Sequence, residues 1–346
     1  YNIRMISDLT KVFLPAIVSF LVGILITPKL TTIFYENKLW KKTRRDDSAT
    51  NPTVTSEFKK IHRDDELHTP RVGGIIIWVS VLFVGTLFSL LYILFPNEAT
   101  SKIEFLSRNQ TFLPLLAFII GAVFGLIEDF FEIFGHAKYT HGIKGWYTVL
   151  TVCVFGLVFA SWFYFKLGVT SVHVPFLGDV FLGLAFIPFF ILVTLSTFAS
   201  RVIDGLDGLA GGVFAVIFAS YSIIAYFNNQ IDIAAFCTVI LGAILVFLWF
   251  NIPPARFYMG ETGMLPLTLT LVIVAFLTDQ VILLLVIGFP LVATALSSLV
   301  QISSKKLRGG KTVFLVAPLH HHFQALGWSR EKVVMRYWVI SVMCAF

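Results

Sequence analysis

Five carboxylates stand at the edges of long apolar runs. Glu128 and Asp129 close one run, Asp204 and Asp207 occupy the short break between two others, and Glu261 follows a fourth. A charge at the rim of a hydrocarbon core costs several kcal/mol unless it has a partner or a task. If the topology brings all five to one side of a membrane, they can converge on a divalent cation. Each also has a plainer role. Acidic groups at a helix C-terminus oppose the dipole, which disfavours a simple cap for Glu128-Asp129. Neighbours on a helix face different ways, so one of that pair could hold a metal while the other orients a lysine or accepts a proton. Asp204 and Asp207 lie at i and i+3 of a helix start, on one face, where capping is the competing role. Gly205, Gly208, Gly211 and Gly212 around them permit close approach by a ligand or a neighbouring helix.

Two further stretches bring chemistry. The loop from Asn251 through Arg256, Tyr258 and Glu261 to Gly263 offers an amide, a guanidinium, an aromatic pair, a carboxylate and two glycines. That set suits a nucleotide-sugar: a ring to stack on a base, a cation for phosphate and an acid for a metal. His320, His321 and His322 follow Pro318-Leu319. Consecutive histidines cannot easily all ligate one ion, so phosphate contacts or acid–base work suit them better.

The elements that must position these groups are membrane spans. The chain has 346 residues, 57% hydrophobic and 13% charged, where soluble domains carry about 25% charged residues. Its mean hydropathy is +0.85. The 36 Phe are core and lipid-facing bulk, and the three Cys lie in apolar runs with no disulfide or metal spacing. Runs able to cross ~30 Å of hydrocarbon fall near 12–28, 73–95, 112–130, 146–166, 182–200, 208–227, 231–250, 264–279, 281–302 and 333–346. The expectation is an all-α integral membrane protein of about ten transmembrane helices, forming a single polytopic domain over residues 1–346. The first run ends in a basic loop without a small-residue cleavage site and reads as a retained span. Asn228-Asn229-Gln230 and Thr278-Asp279-Gln280 predict tight turns between antiparallel helices. Trp78, Trp146, Trp249 and Trp338 sit near span ends as interface anchors.

Lysine and arginine set the orientation. Loops after odd-numbered spans, with residues 29–72 and 303–336 the richest, hold 21 of the 26 Lys and Arg. Those loops are expected to be cytoplasmic, with both termini outward. All five carboxylates and the three histidines then fall at cytoplasmic span ends. The outward loops 96–111 and 167–181 read as connectors without a cluster, with a short hairpin around 172–182.

Several motifs occur together and in order: Thr69-Pro-Arg-Val-Gly-Gly, Gly125-Leu-Ile-Glu-Asp, Asp204-Gly-Leu-Asp-Gly-Leu, Phe247-Leu-Trp-Phe-Asn and Met259-Gly-Glu-Thr-Gly. The chain resembles the polyprenyl-phosphate N-acetylhexosamine-1-phosphate transferase superfamily over essentially its whole length. Ala317-Pro-Leu-His-His-His-Phe, Gly327-Trp and Arg336-Tyr-Trp resemble its phospho-N-acetylmuramoyl-pentapeptide transferase branch. The resemblance implies attack of undecaprenyl phosphate on the β-phosphate of UDP-N-acetylmuramoyl-pentapeptide at the cytoplasmic face of a bacterial inner membrane, giving lipid I and UMP. It implies Mg²⁺ as cofactor with Glu261 as its ligand. Glu128 and Asp129 would handle the lipid phosphate or its proton. Asp204 and Asp207 would line the nucleotide pocket near Asn251, and Tyr258 would stack on uracil. His320, His321 and His322 would hold phosphate or sugar, with Lys144 and Arg256 as further substrate-binding cations. The implied partners are the two substrates and the lipid bilayer, with a second copy of the chain as a candidate and no nucleic acid.

The chain departs from the family pattern at identifiable positions. Glu128 and Glu261 stand where Asp is usual, and Phe198 and Arg201 where Asn is usual. The lysine expected after Gly142 falls at Tyr147 or Thr148, with Lys144 nearby. Glu66 stands for a usual lysine and Met264 for a usual serine. Three other readings compete: a transferase using UDP-N-acetylglucosamine for another surface polymer, a transporter, and a non-catalytic member that binds lipid phosphate. Transporters place charges near the bilayer midplane, whereas these lie at span ends.

Overall fold

The computed structural model describes residues 2–40, 68–107, 109–134 and 145–346, most of them helical. The basic stretch 41–67 and the segment 135–144, which includes Lys144, lie outside the described residues. In chain order the helices are α1 (Asn2–Glu36), α2 (Gly74–Leu94), α3 (Glu98–Ile103), α4 (Phe112–Phe134) and α5 (Gly145–Ser161). A hairpin follows, β1 (Ser171–Val174) antiparallel to β2 (Gly178–Phe181), with Ser171 opposite Phe181. Then come α6 (Phe186–Ala199), α7 (Leu209–Phe227), α8 (Ile231–Asn251), α9 (Glu261–Leu277), α10 (Leu284–Ile287), α11 (Phe289–Leu307), α12 (Leu319–Ala325) and α13 (Arg330–Ala345).

Among the described residues, 7 helices are long and apolar enough to cross a membrane: α1, α2, α4, α5, α6, α7 and α8, with short helical extensions on α5 and α6. The eighth expected span is α9, which is apolar but only 17 residues long. The ninth, 281–302, breaks at Gly288 into α10 and α11, because Phe289-Pro290 restarts a helix there. The tenth falls in the 16-residue α13. The hairpin sits where one was expected, around 172–182.

The centre of the bundle is α7, α8 and α9. Helix α8 packs along both α1 and α7, and α9 packs along α4. Between helices in lipid the hydrophobic effect gives little, so close approach and hydrogen bonds must hold them. Gly121 and Gly125, one turn apart on α4, supply that approach. A Cβ on Gly125 would overlap the carbonyl of Glu261, and one on Gly121 would meet Pro266 at 2.6 Å. The two short turns bind each other: Asn228 Nδ2 donates to the Thr278 carbonyl (3.0 Å) and Gln230 Nε2 to that of Leu277 (2.7 Å). Asn229 and Asp279 both take positive φ there, 57° and 56°.

Candidate active site

The site is organised around the first turn of α9. Asp129, buried on α4, reaches across to it: Oδ1 accepts the Glu261 N–H (3.1 Å) and Oδ2 accepts the Thr262 N–H (2.8 Å). These are donors that a helix leaves unpaired at its start, so Asp129 acts as an N-cap supplied by another helix. Gly260, at φ 67°, precedes them; its N–H is donated to Asp204 Oδ2 (3.3 Å). A side chain at 260 would strike the Arg71 carbonyl, and its Cβ would lie 2.5 Å from Asp129 Oδ2.

The other motif residues fasten the loop that leads to this turn. Asn251 is buried at the end of α8; its Oδ1 accepts the Gly208 N–H (2.8 Å) and its Nδ2 donates to the Phe257 carbonyl (2.8 Å). Asp207 Oδ2 accepts the Ala255 N–H (3.2 Å). The Tyr258 backbone pairs with Pro70 (2.8 Å) and Gly73 (2.9 Å), which ties the Thr69–Gly74 motif to the loop and leaves the ring half-buried. Arg256 is exposed, its guanidinium 5.2 Å from the Phe250 ring. It shares an open cavity of about 410 Å³ with Trp249, Phe250, Ile252, Pro253 and Pro254.

Glu128 takes a different direction from its neighbour. Its Oε1 lies 3.5 Å from Arg201 Nη1 and accepts the Thr148 hydroxyl at 3.3 Å. The same Arg201 nitrogen donates to Glu261 Oε1 at 2.6 Å. His320 and His321 are buried at the start of α12 and stand against the Asp204 turn: a Cβ on Gly205 would lie 2.5 Å from His320 Nε2 and 3.1 Å from His321 Nε2. His321 Nδ1 pairs with Gln324 Oε1 (2.8 Å). His322 points elsewhere; its Nδ1 accepts the Leu315 N–H (3.3 Å) and so braces the loop before α12.

The fold thus brings Glu128, Asp129, Asp204, Asp207, Asn251, Tyr258, Glu261, His320 and His321 to one end of the helices. It does not close the five carboxylates around a single ion. Among the described residues, the acidic groups at this end include no three whose ligand atoms lie within 4.8 Å of one another. Both oxygens of Asp129 and one each of Asp204 and Asp207 accept backbone N–H groups. Glu261 Oε2 is buried and has no hydrogen-bond partner among the described residues. Burial pushes the Asp204 carboxyl up to about 6, with the Arg71 guanidinium acting against it. An orphaned carboxylate oxygen in a region where acids outnumber guanidiniums fits Mg²⁺, which binds through one or two carboxylates together with substrate phosphates rather than in an all-protein cage.

Two features escape sequence reading. Arg201 shows in the sequence only as a lone cation in the break between α6 and α7 and as a departure from the family's usual Asn, and neither signal announces its partners. At the other end of the helices, His173, Asp179 and Asp279 have ligand atoms within 4.8 Å of one another. The loops there were expected to hold no cluster. Asp279 arrives from a turn far along the chain, and no local pattern announces it.

The profile described as "Glycosyl transferase family 4" matches residues 111–279. The phospho-N-acetylmuramoyl-pentapeptide-transferase of Chloroflexus aggregans is 32% identical over 354 aligned positions, covering 99% of this chain and 89% of that protein. The protein of the same name from Clostridium perfringens strain 13 is 31% identical over 339 positions, 97% of each. That from Desulforapulum autotrophicum is 36% identical over 296 positions, covering 80% of this chain and 78% of that protein.

Proposed function

The chain belongs to the phospho-N-acetylmuramoyl-pentapeptide-transferase family, and we propose that it moves phospho-N-acetylmuramoyl-pentapeptide from UDP to undecaprenyl phosphate, yielding lipid I and UMP. One observation carries the reading onto this chain's own residues. The acidic, amide and histidine residues of its separate motifs meet at the N-terminus of α9, where Gly260 lets the backbone come close. In the proposed topology of ten spans with both termini outward, this end faces the cytoplasm of a bacterial inner membrane, where a UDP-sugar is available.

The reaction forms a bond from a lipid phosphate oxygen to the β-phosphorus of the UDP-sugar. It breaks the bond from that phosphorus to the bridging oxygen, which leaves with UMP. Phosphoryl transfer of this kind depends on positioning and on neutralising spread negative charge. Glu261 Oε2 is the oxygen we assign to holding Mg²⁺. When bound, the ion neutralises the diphosphate and stabilises the leaving UMP. Asp129 keeps Glu261 in place through the backbone rather than touching substrate. Asp207 and Asn251 hold the loop on which Tyr258 and Arg256 meet the nucleotide, the ring against uracil and the guanidinium against phosphate. His320 and His321 face the sugar-phosphate from the Gly205 side. Lys144 is kept as a further cation for the substrate.

Purified full-length chain, undecaprenyl phosphate, Mg²⁺ and either UDP-N-acetylmuramoyl-pentapeptide or UDP-N-acetylglucosamine, followed for UMP, test this directly. Release with the first sugar nucleotide alone is expected. Release only with the second reassigns the donor, and no release with either removes the transferase reading.

A further inference from the structure

The positions at which this chain departs from the family pattern are scattered through the sequence, yet three of them, Glu128, Phe198 and Glu261, meet at the guanidinium of a fourth, Arg201. Arg201 Nη1 is 2.6 Å from Glu261 Oε1 and 3.5 Å from Glu128 Oε1. These are the two positions that carry Glu where Asp is usual, and the extra methylene of each extends its reach toward the shared nitrogen. The guanidinium carbon lies 4.5 Å from the centre of the Phe198 ring, a cation–π contact at the other position where Asn is usual. Thr148, near where a lysine is expected, donates to the same Glu128 oxygen that faces Arg201. The substitutions are therefore one unit: a positive charge missing from α5 is supplied from the turn after α6.

That charge is not used up by its partners. A guanidinium has five N–H donors in a planar fork. Both carboxylates are served by Nη1, and among the described residues no other donor of Arg201 has a protein hydrogen bond. The side chain keeps 28% of its surface exposed, beside Glu261. A fork held from behind by two acids, with donors remaining in front, is suited to phosphate oxygens.

We propose that Arg201 is a tethered cation of the nucleotide-sugar site, anchored on Glu128 and Glu261 and presenting its remaining donors to the diphosphate of the incoming UDP-sugar. Part of the charge neutralisation is then built into the chain. The proposal rests on the transferase reading for the identity of the ligand. It has two consequences. Binding of a nucleoside diphosphate survives removal of metal. A divalent cation binds more weakly than it would without Arg201, because one Glu261 oxygen is already taken.

The test uses the purified full-length chain with UDP and Mn²⁺ as separate probes. UDP binding is measured by calorimetry in EDTA, and Mn²⁺ binding by electron paramagnetic resonance without nucleotide. Wild type should bind UDP in EDTA. Arg201→Asn should weaken that binding about tenfold or more and tighten Mn²⁺ about tenfold, since a like charge has left the ion's neighbourhood. Arg201→Lys keeps the charge without the fork, and should recover part of the UDP binding and keep wild-type Mn²⁺ affinity. Should Arg201→Asn not fold, Arg201→Gln and Arg201→Lys carry the same two measurements. Wild type that binds UDP only with metal, or neutral variants that shift neither probe, would overturn the proposal. Turnover without either shift removes the role of Arg201 alone. Both shifts without UMP release remove the assigned reaction and leave the cation in place.

Discussion

Asp129 and Glu261 are held together by the carboxylate of one and the backbone of the other: Asp129 Oδ1 accepts the Glu261 N–H at 3.1 Å, across the packed faces of α4 and α9. The second acid of the Glu128-Asp129 pair therefore works through the acid placed last in the chain.

Asp129→Asn keeps the shape but turns one acceptor into a donor facing the Thr262 N–H. Leaving such a buried donor unsatisfied costs about 1–3 kcal/mol. Thermal unfolding in detergent should show a lower Tm, with turnover falling because Glu261 loses its seat. Lost turnover at an unchanged Tm would instead put Asp129 in contact with substrate.

Glu261→Gln keeps a hydrogen-bonding side chain and removes the charge assigned to the metal. UMP release should fall by about 100-fold or more, the scale of losing several kcal/mol of charge stabilisation. Mn²⁺ binding should weaken in parallel. EDTA should stop turnover of the wild type, and added Mg²⁺ should restore it. Unaltered turnover and Mn²⁺ affinity in Glu261→Gln would falsify the metal assignment.

Gly125→Ala drives a methyl into the Glu261 carbonyl. Overpacking of a close helix contact costs about 1–3 kcal/mol, and here it also moves the site. Gly145→Ala, at the start of α5, meets nothing within 4 Å and is the control. It should change stability by less than about 1 kcal/mol. Equal effects on Tm would show that α4 does not approach α9 as described.

Gly205→Ala should act through His320, since the added Cβ lies 2.5 Å from Nε2. Its loss of kcat/KM should match that of His320→Gln, and the double variant should be little worse than either alone, because residues in contact are not additive. His322→Ala should lower Tm more than kcat, because its imidazole braces Leu315. Additive losses at 205 and 320 would separate the two groups.

Much of this was legible in the linear chain. Helical spans follow from apolar runs bounded by charge, and the hairpin near 172–182 and the turns at 228–230 and 278–280 follow from local turn chemistry. Segments 281–302 and 333–346 were less legible. Hydropathy counts apolar residues but does not see that Gly288 and Pro290 divide a run. Among the site residues, Glu261, Asp204 and His320 read as chemistry in the sequence and lie together in the structure. Asn251 and Asp207 read as substrate contacts, and the structure shows what the sequence could not, that each also bonds backbone groups, Gly208 and Phe257 for Asn251 and Ala255 for Asp207. A side chain's type is visible in sequence, whereas the partner that consumes its hydrogen bonds is not.

Composition, motif order and charge placement alone determined that this is a helical membrane protein of the transferase type, with its acids and histidines at the ends of spans. Only the tertiary structure decided which acid caps a helix, which keeps an open oxygen, and that Arg201 stands between Glu128 and Glu261. Those outcomes depend on separations of about 3 Å between groups 60 to 133 residues apart. Such separations arise from helix packing, here set by Gly125 and Gly260, and no local pattern encodes them.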